Sequence, residues 1–219
     1  MTGLHSPSIH FHIGAWAVTA LCIFLAFWIN FLEKRDLLPK FVKGILGDHV
    51  VRQLDYVAIV TGIVGFIGIL GAAWTGFIDA TGIDKPNYFD INLLILGYNT
   101  AMSNEILGFK VVWTFVGLQM FLFTIIIRTY FVTFNKEKSV FDQHVVVQIL
   151  YAQSALLGFF MMVVIAGAGG IWVSGSSIIS DIPVLKEFLP GGNGLIPLFF
   201  FGSIFSILLI ISMIIKERE

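Results

Sequence analysis

Five runs of apolar residues, over roughly 9–32, 56–78, 106–131, 145–173 and 195–215, constrain this chain more than any other feature. Each is near or above the ~20 residues with which an α-helix crosses the hydrocarbon core of a bilayer. No soluble core of this size could hide them, because 57% of the 219 residues are hydrophobic and only 12% are charged. The expected fold is all-α: an integral membrane bundle of five transmembrane helices, forming a single membrane domain over residues 1–219. Lys and Arg then orient it. Lys34, Arg35, Lys40, Lys43 and Arg52 follow the first span, Arg128, Lys136 and Lys138 lie between the third and fourth, and Lys216 and Arg218 close the chain. Only Lys85, Lys110 and Lys186 fall on the other side. The positive-inside rule puts the N-terminus outside and the C-terminus in the cytoplasm, in a multi-pass protein of the plasma or inner membrane. No Lys or Arg precedes the first run and no small-residue cleavage site follows it, so it reads as a retained span. The net charge of −1 comes with no basic block that would hold nucleic acid. Cys22, inside an apolar run, reads as a packing residue.

Three of the five histidines, His5, His10 and His12, crowd the start of the first span. Ser6 before Pro7 reads as an N-cap with proline at the first helical position, which starts a helix at about Pro7. At roughly 100° per residue, His10 and His12 then point to opposite sides and cannot face one ligand. The second span carries Gly68, Ala72 and Gly76 at four-residue spacing, thinned further by Gly62, Gly65 and Gly71, which marks a helix that others approach closely. It ends in Trp74-Thr75-Gly76-Phe77-Ile78-Asp79, on the same outer side as His10. Two uses of that coincidence follow: His10 hydrogen-bonds Asp79 or a backbone carbonyl and ties span one to span two, or His5, His10 and Asp79 hold a metal ion.

Between the first two spans, Leu38, Phe41, Val42, Ile45 and Leu46 recur at helical spacing, an amphipathic interfacial segment over about 37–47. Beyond the second span, Asp84 to Asn87 make a turn, and Ile91 to Gly97 is too short to cross and lies on the surface or against a neighbour. Gln119, halfway along the third span, lines a pocket or bonds to a neighbouring helix. Arg128 reads as a snorkelling cation at the end of that span. In the fourth span His144 and Gln148 share one face by their spacing, and Gly169 and Gly170 at its far end are read as a helix-packing pair.

Leu4-His5 with Ile9-His10-Phe11-His12-Ile13, the Trp74 to Asp79 segment, Arg128 closing the third span and Gly169-Gly170 together resemble the membrane-protein family catalogued as domain of unknown function 2231. The resemblance covers about residues 3–175 and implies a membrane-embedded fold with an additional C-terminal transmembrane helix here. It departs from the family at Ser6 and His12, where proline is usual, at Phe109 or Lys110, and after Gly170, where histidine is frequent.

The expected function is that of a non-catalytic accessory or structural subunit of a larger membrane complex of respiratory or electron-transfer type, partnered by the lipid bilayer and other membrane subunits. The alternative is a haem- or metal-binding redox subunit using His5, His10 and His12. Haem b or a metal ion would be the cofactor, although this chain supplies no complete ligand set for either. A small transporter is the second alternative, disfavoured by the lack of internal repeats and of ionisable residues near mid-membrane. No nucleophile–base or paired-carboxylate arrangement can be placed at one depth, so catalysis is not expected.

Overall fold

The computed structural model describes residues 5–175, 181, 183–190 and 192, and the side chains among them from residue 11 onward, except at 40, 170, 172–174, 184 and 185. The fifth apolar run, 195–215, lies outside the described residues. Within them the chain is all-helical. Four long helices, α1 (His5–Lys34), α3 (Asp48–Ala80), α5 (Glu105–Val132) and α6 (Val145–Ser174), are long and apolar enough to cross a membrane. The short helices are α2 (Lys40–Leu46), α4 (Ile91–Met102) and α7 (Pro183–Lys186), with a 3-10 turn at Val140–Asp142 before α6. Helix α1 is already formed at His5, two residues ahead of where the cap reading starts it. Ser6 therefore lies inside the first turn, where Pro7 is tolerated because an N–H there has no intrahelical acceptor.

The long helices pack as two antiparallel hairpins. In the first, Thr19 meets Thr61 at 2.9 Å, Trp16 lies over Gly65 and His12 over Gly68, so numbers rise along α1 as they fall towards the contact on α3. The close approach demands glycine: a Cβ on Gly65 would sit 2.6 Å from the Trp16 indole, and one on Gly68 would sit 2.9 Å from the His12 Cβ. Gly68 and Ala72 of the four-residue row do belong to the packed face, but the seats for Thr19 and Trp16 are Gly62 and Gly65. In the second hairpin, Thr124 pairs with Ser154 at 2.8 Å, and Phe121 is seated on Gly158. A stack of Trp16 on Phe121, ring centroids 3.5 Å apart, joins the hairpins in a core with Ile69 and Met162. Gly169 faces the Lys110 ammonium, 3.3 Å from where its Cβ would stand, while the Gly170 contacts lie outside the described residues.

Helix α4 is the short apolar segment expected not to cross. Asp90 caps it by accepting from the Asn92 N–H, and Gly97 lets it lie against the Phe77 carbonyl of α3. Asn104 caps α5, its side chain accepting from the N–H groups of Ile106 and Leu107 at 3.1 and 3.0 Å. The bend before α4 passes through Lys85 at φ 52°.

Candidate functional site

The residues singled out around the histidines separate into two groups. His12 is buried against α3 through Gly68. The side chains of His5 and His10 lie outside the described residues, and with them the His10–Asp79 pairing and the His5, His10, Asp79 metal set. Among the described residues no cluster of three or more His, Cys, Asp or Glu could hold a metal ion. Asp79 does have a partner: its carboxylate accepts from the Tyr88 hydroxyl at 2.6 Å, while the Trp74 indole donates to the Tyr88 carbonyl, also at 2.6 Å. The Trp74 to Asp79 segment thus grips Tyr88 from both sides and fastens the connection between α3 and α4 to the end of α3.

The polar centre of the bundle is at the opposite end, and it is built on a residue the sequence reading treated as peripheral. Arg128 does not snorkel. Its side chain is 0% exposed, and its Nε lies 2.9 Å from Oδ2 of Asp55, which is also 0% exposed. A snorkelling arginine needs a path to water along its own helix; here the start of α3 and the 3-10 turn close that path, so the charge is met by a carboxylate instead. The remaining donors are used on backbone. Nη1 donates to the Thr133 carbonyl, and Nη2 lies 3.3 Å from each of the Asn135 and Lys138 carbonyls. Thr133 stands at φ 60°, a conformation that a β-branched residue rarely adopts, in the turn that brings these carbonyls round the guanidinium. Asp55 accepts in addition from the Val140 N–H at 2.9 Å, and the hydroxyls of Ser139 and Tyr151 bear on the same carboxylate.

A second buried chain of amides lies alongside. Asn30 of α1 donates to the Gln148 side-chain oxygen at 2.9 Å, and the Gln148 amide nitrogen donates to the carbonyls of Phe141 and Gln143 at 2.9 and 2.7 Å. His144, expected to share a face with Gln148, is instead the exposed N-cap of α6, accepting at Nδ1 from the Val146 N–H at 3.4 Å. A cap residue precedes the helical phase, which breaks the stripe. Together the two clusters tie α1, α3, α5, α6 and the connection before α6 into one unit. Most of their donors and acceptors are turned on one another, with Oδ1 of Asp55 left without a hydrogen bond among the described residues, so the arrangement is chemically a clamp.

Among the described residues Gln119 makes no hydrogen bond to a neighbouring helix. It is exposed on the outward face of α5, midway along that helix, in a stripe with Val112, Phe115, Leu122, Phe123 and Ile126.

The Asp55–Arg128 pair escaped a reading that took each span separately. Its signal was present: Asp55 just ahead of the second span and Arg128 in the last turns of the third are opposite charges at one depth on antiparallel helices. No protein family, curated protein or solved structure matches this chain.

Proposed function

We propose that this chain is a non-catalytic accessory subunit of a larger membrane assembly, joined to it through the outward face of α5. The observation that carries this reading is Gln119. An amide left in hydrocarbon forfeits its hydrogen bonds, and membrane helices recover them by bonding across to another helix. The bundle's other mid-depth polar pairs, Thr19 with Thr61 and Thr124 with Ser154, are satisfied internally. Among the described residues Gln119 is a mid-depth polar group whose demand points outward. The reading also includes orientation, with the Asp55–Arg128 end in the cytoplasm; setting buried Arg128 aside leaves the bias of flanking Lys and Arg in place. The electron-transfer character of the assembly rests on the N-terminal histidines, and a reduced-minus-oxidised spectrum of the purified material tests that part separately.

Extraction in a mild detergent followed by mass determination tests the subunit reading. The expected particle exceeds the 24.3 kDa monomer, and Gln119→Leu releases the monomer without altering its helix content. A wild-type chain that runs as a monomer with nothing bound overturns it.

A further inference from the structure

Where α1 ends and α6 begins, the bundle leaves a cleft of about 260 Å³. This is small beside the roughly 300–1,000 Å³ of sites that enclose drug-sized organic ligands. Its floor is the Asn30–Gln148 pair, whose hydrogen bonds are already made within the protein. Recognition therefore falls to the rim, which carries Lys34, Arg35 and Gln143, with Phe31 on the wall. Lys34 donates to the Phe141 carbonyl at 3.1 Å, leaving further ammonium hydrogens free. Arg35 lies over the Phe31 ring with its guanidinium carbon 4.4 Å from the ring centroid, which holds the group in place and leaves its N–H edge open.

Neither cation has a carboxylate partner among the described residues. Of the acids of this end, Asp36 pairs with Lys43 at 2.5 Å and Asp142 lies 3.5 Å from Arg52. Two uncompensated cations and an amide around a small cleft call for a compact anion with several acceptor oxygens, which is the chemistry of a phosphate group. An apolar track leads away from the cleft along α1. Phe24 and Trp28 are exposed, and the rings run in contact from Phe24 to Trp28 to Phe31, at 6.1 and 5.6 Å. A soluble phosphate ester has no use for such a track, whereas an acyl chain does.

We propose that this cleft binds the phosphate headgroup of an acidic glycerophospholipid, with its acyl chains laid along the Phe24–Trp28 face of α1. The proposal rests on α1 being a membrane span and is independent of the subunit reading, since it concerns a different helix face.

Native mass spectrometry of the full chain in detergent, titrated with phosphatidylglycerol, with phosphatidylcholine and with inorganic phosphate, tests it. Phosphatidylglycerol is expected to bind at least tenfold more tightly than phosphatidylcholine. The double variant Lys34→Gln, Arg35→Gln weakens phosphatidylglycerol about thirtyfold, at the contribution typical of two basic residues near an anionic lipid. Both sites are exposed, and Arg35→Gln alone, which breaks no hydrogen bond, gives part of the same loss. Lys43→Gln, a cation of the same connection outside the cleft, leaves the affinity unchanged. Equal binding of the two lipids, or an equal loss from Lys43→Gln, overturns the proposal. Displacement of phosphatidylglycerol by millimolar inorganic phosphate overturns the lipid as the source of the anion.

Discussion

Arg128 and Asp55 show how much one buried pair can decide. Removing a single partner of a buried ion pair typically costs about 3–5 kcal/mol, because the surviving charge stays in a medium that cannot solvate it. Arg128→Leu is therefore expected to destabilise the bundle by roughly that amount in thermal or denaturant unfolding in detergent. The double variant Arg128→Leu, Asp55→Leu should recover much of the loss, since it leaves no orphan charge; a double variant no more stable than the single would show that the backbone carbonyls of Thr133 to Lys138 are what Arg128 mainly supports. Glycines make a second contrast at this scale. Gly65→Ala drives a methyl into the Trp16 indole and should cost about 1–3 kcal/mol as overpacking. Gly71→Ala, with nothing within 4 Å, should be neutral or stabilising by up to about 1 kcal/mol through helix propensity. The two substitutions lie six residues apart in one helix, so composition alone cannot tell them apart.

Among the elements, α2 presents an exposed apolar face. Phe41 and Ile45 are 73% and 65% exposed and lie four apart on one side of the helix, next to exposed Leu37. That is a face for the bilayer interface. A polarity-sensitive label at Phe41→Cys, in a Cys22→Ala background, should shift to shorter wavelength in vesicles and be quenched by spin-labelled lipid; the same label at Glu137→Cys, in the exposed connection before α6, should do neither. The approach to α2 is held by the ion pair of Asp36 with Lys43. Its hydrogen bond, and then its charge, hold the Asp36 carboxyl below its usual range. The pair therefore contributes at neutral pH and is lost only as pH falls through that lowered value. The label signal should accordingly be flat from neutral pH down to about pH 4, where a free carboxyl would already titrate, and change only below it.

For the whole molecule, the bundle concentrates its cations at one end, and a membrane-impermeant reagent reads the orientation. Single cysteines replacing Lys85 and Lys136 should react from opposite sides of sealed vesicles, Lys85 from the outside; reaction of both from one side would require an odd number of crossings between α3 and the far end of α5 to be redrawn. Much of this architecture was legible from the chain alone. The four long helices and the short α4 follow from apolar run length, which acts over a few residues and needs no knowledge of neighbours. The Gly68–Ala72 face was also readable, because small residues at helical spacing report close approach whatever the partner. What approaches was not readable: the seating of Trp16 on Gly65, the Tyr88 grip on Asp79, and the pairing of Asp55 with Arg128 join residues 49, 9 and 73 positions apart. A hydropathy profile treats each charge near a span end as solvated, since the outcome depends on what the other helices bring to the same depth. The sequence by itself determined that the chain makes long membrane-competent helices and roughly where along the chain each lies, although α3 starts at Asp48, eight residues ahead of the apolar run that marks it. Tertiary structure alone decided which polar groups meet, because hydrogen bonds and ion pairs are made in three dimensions between helices whose rotation and depth no single span specifies.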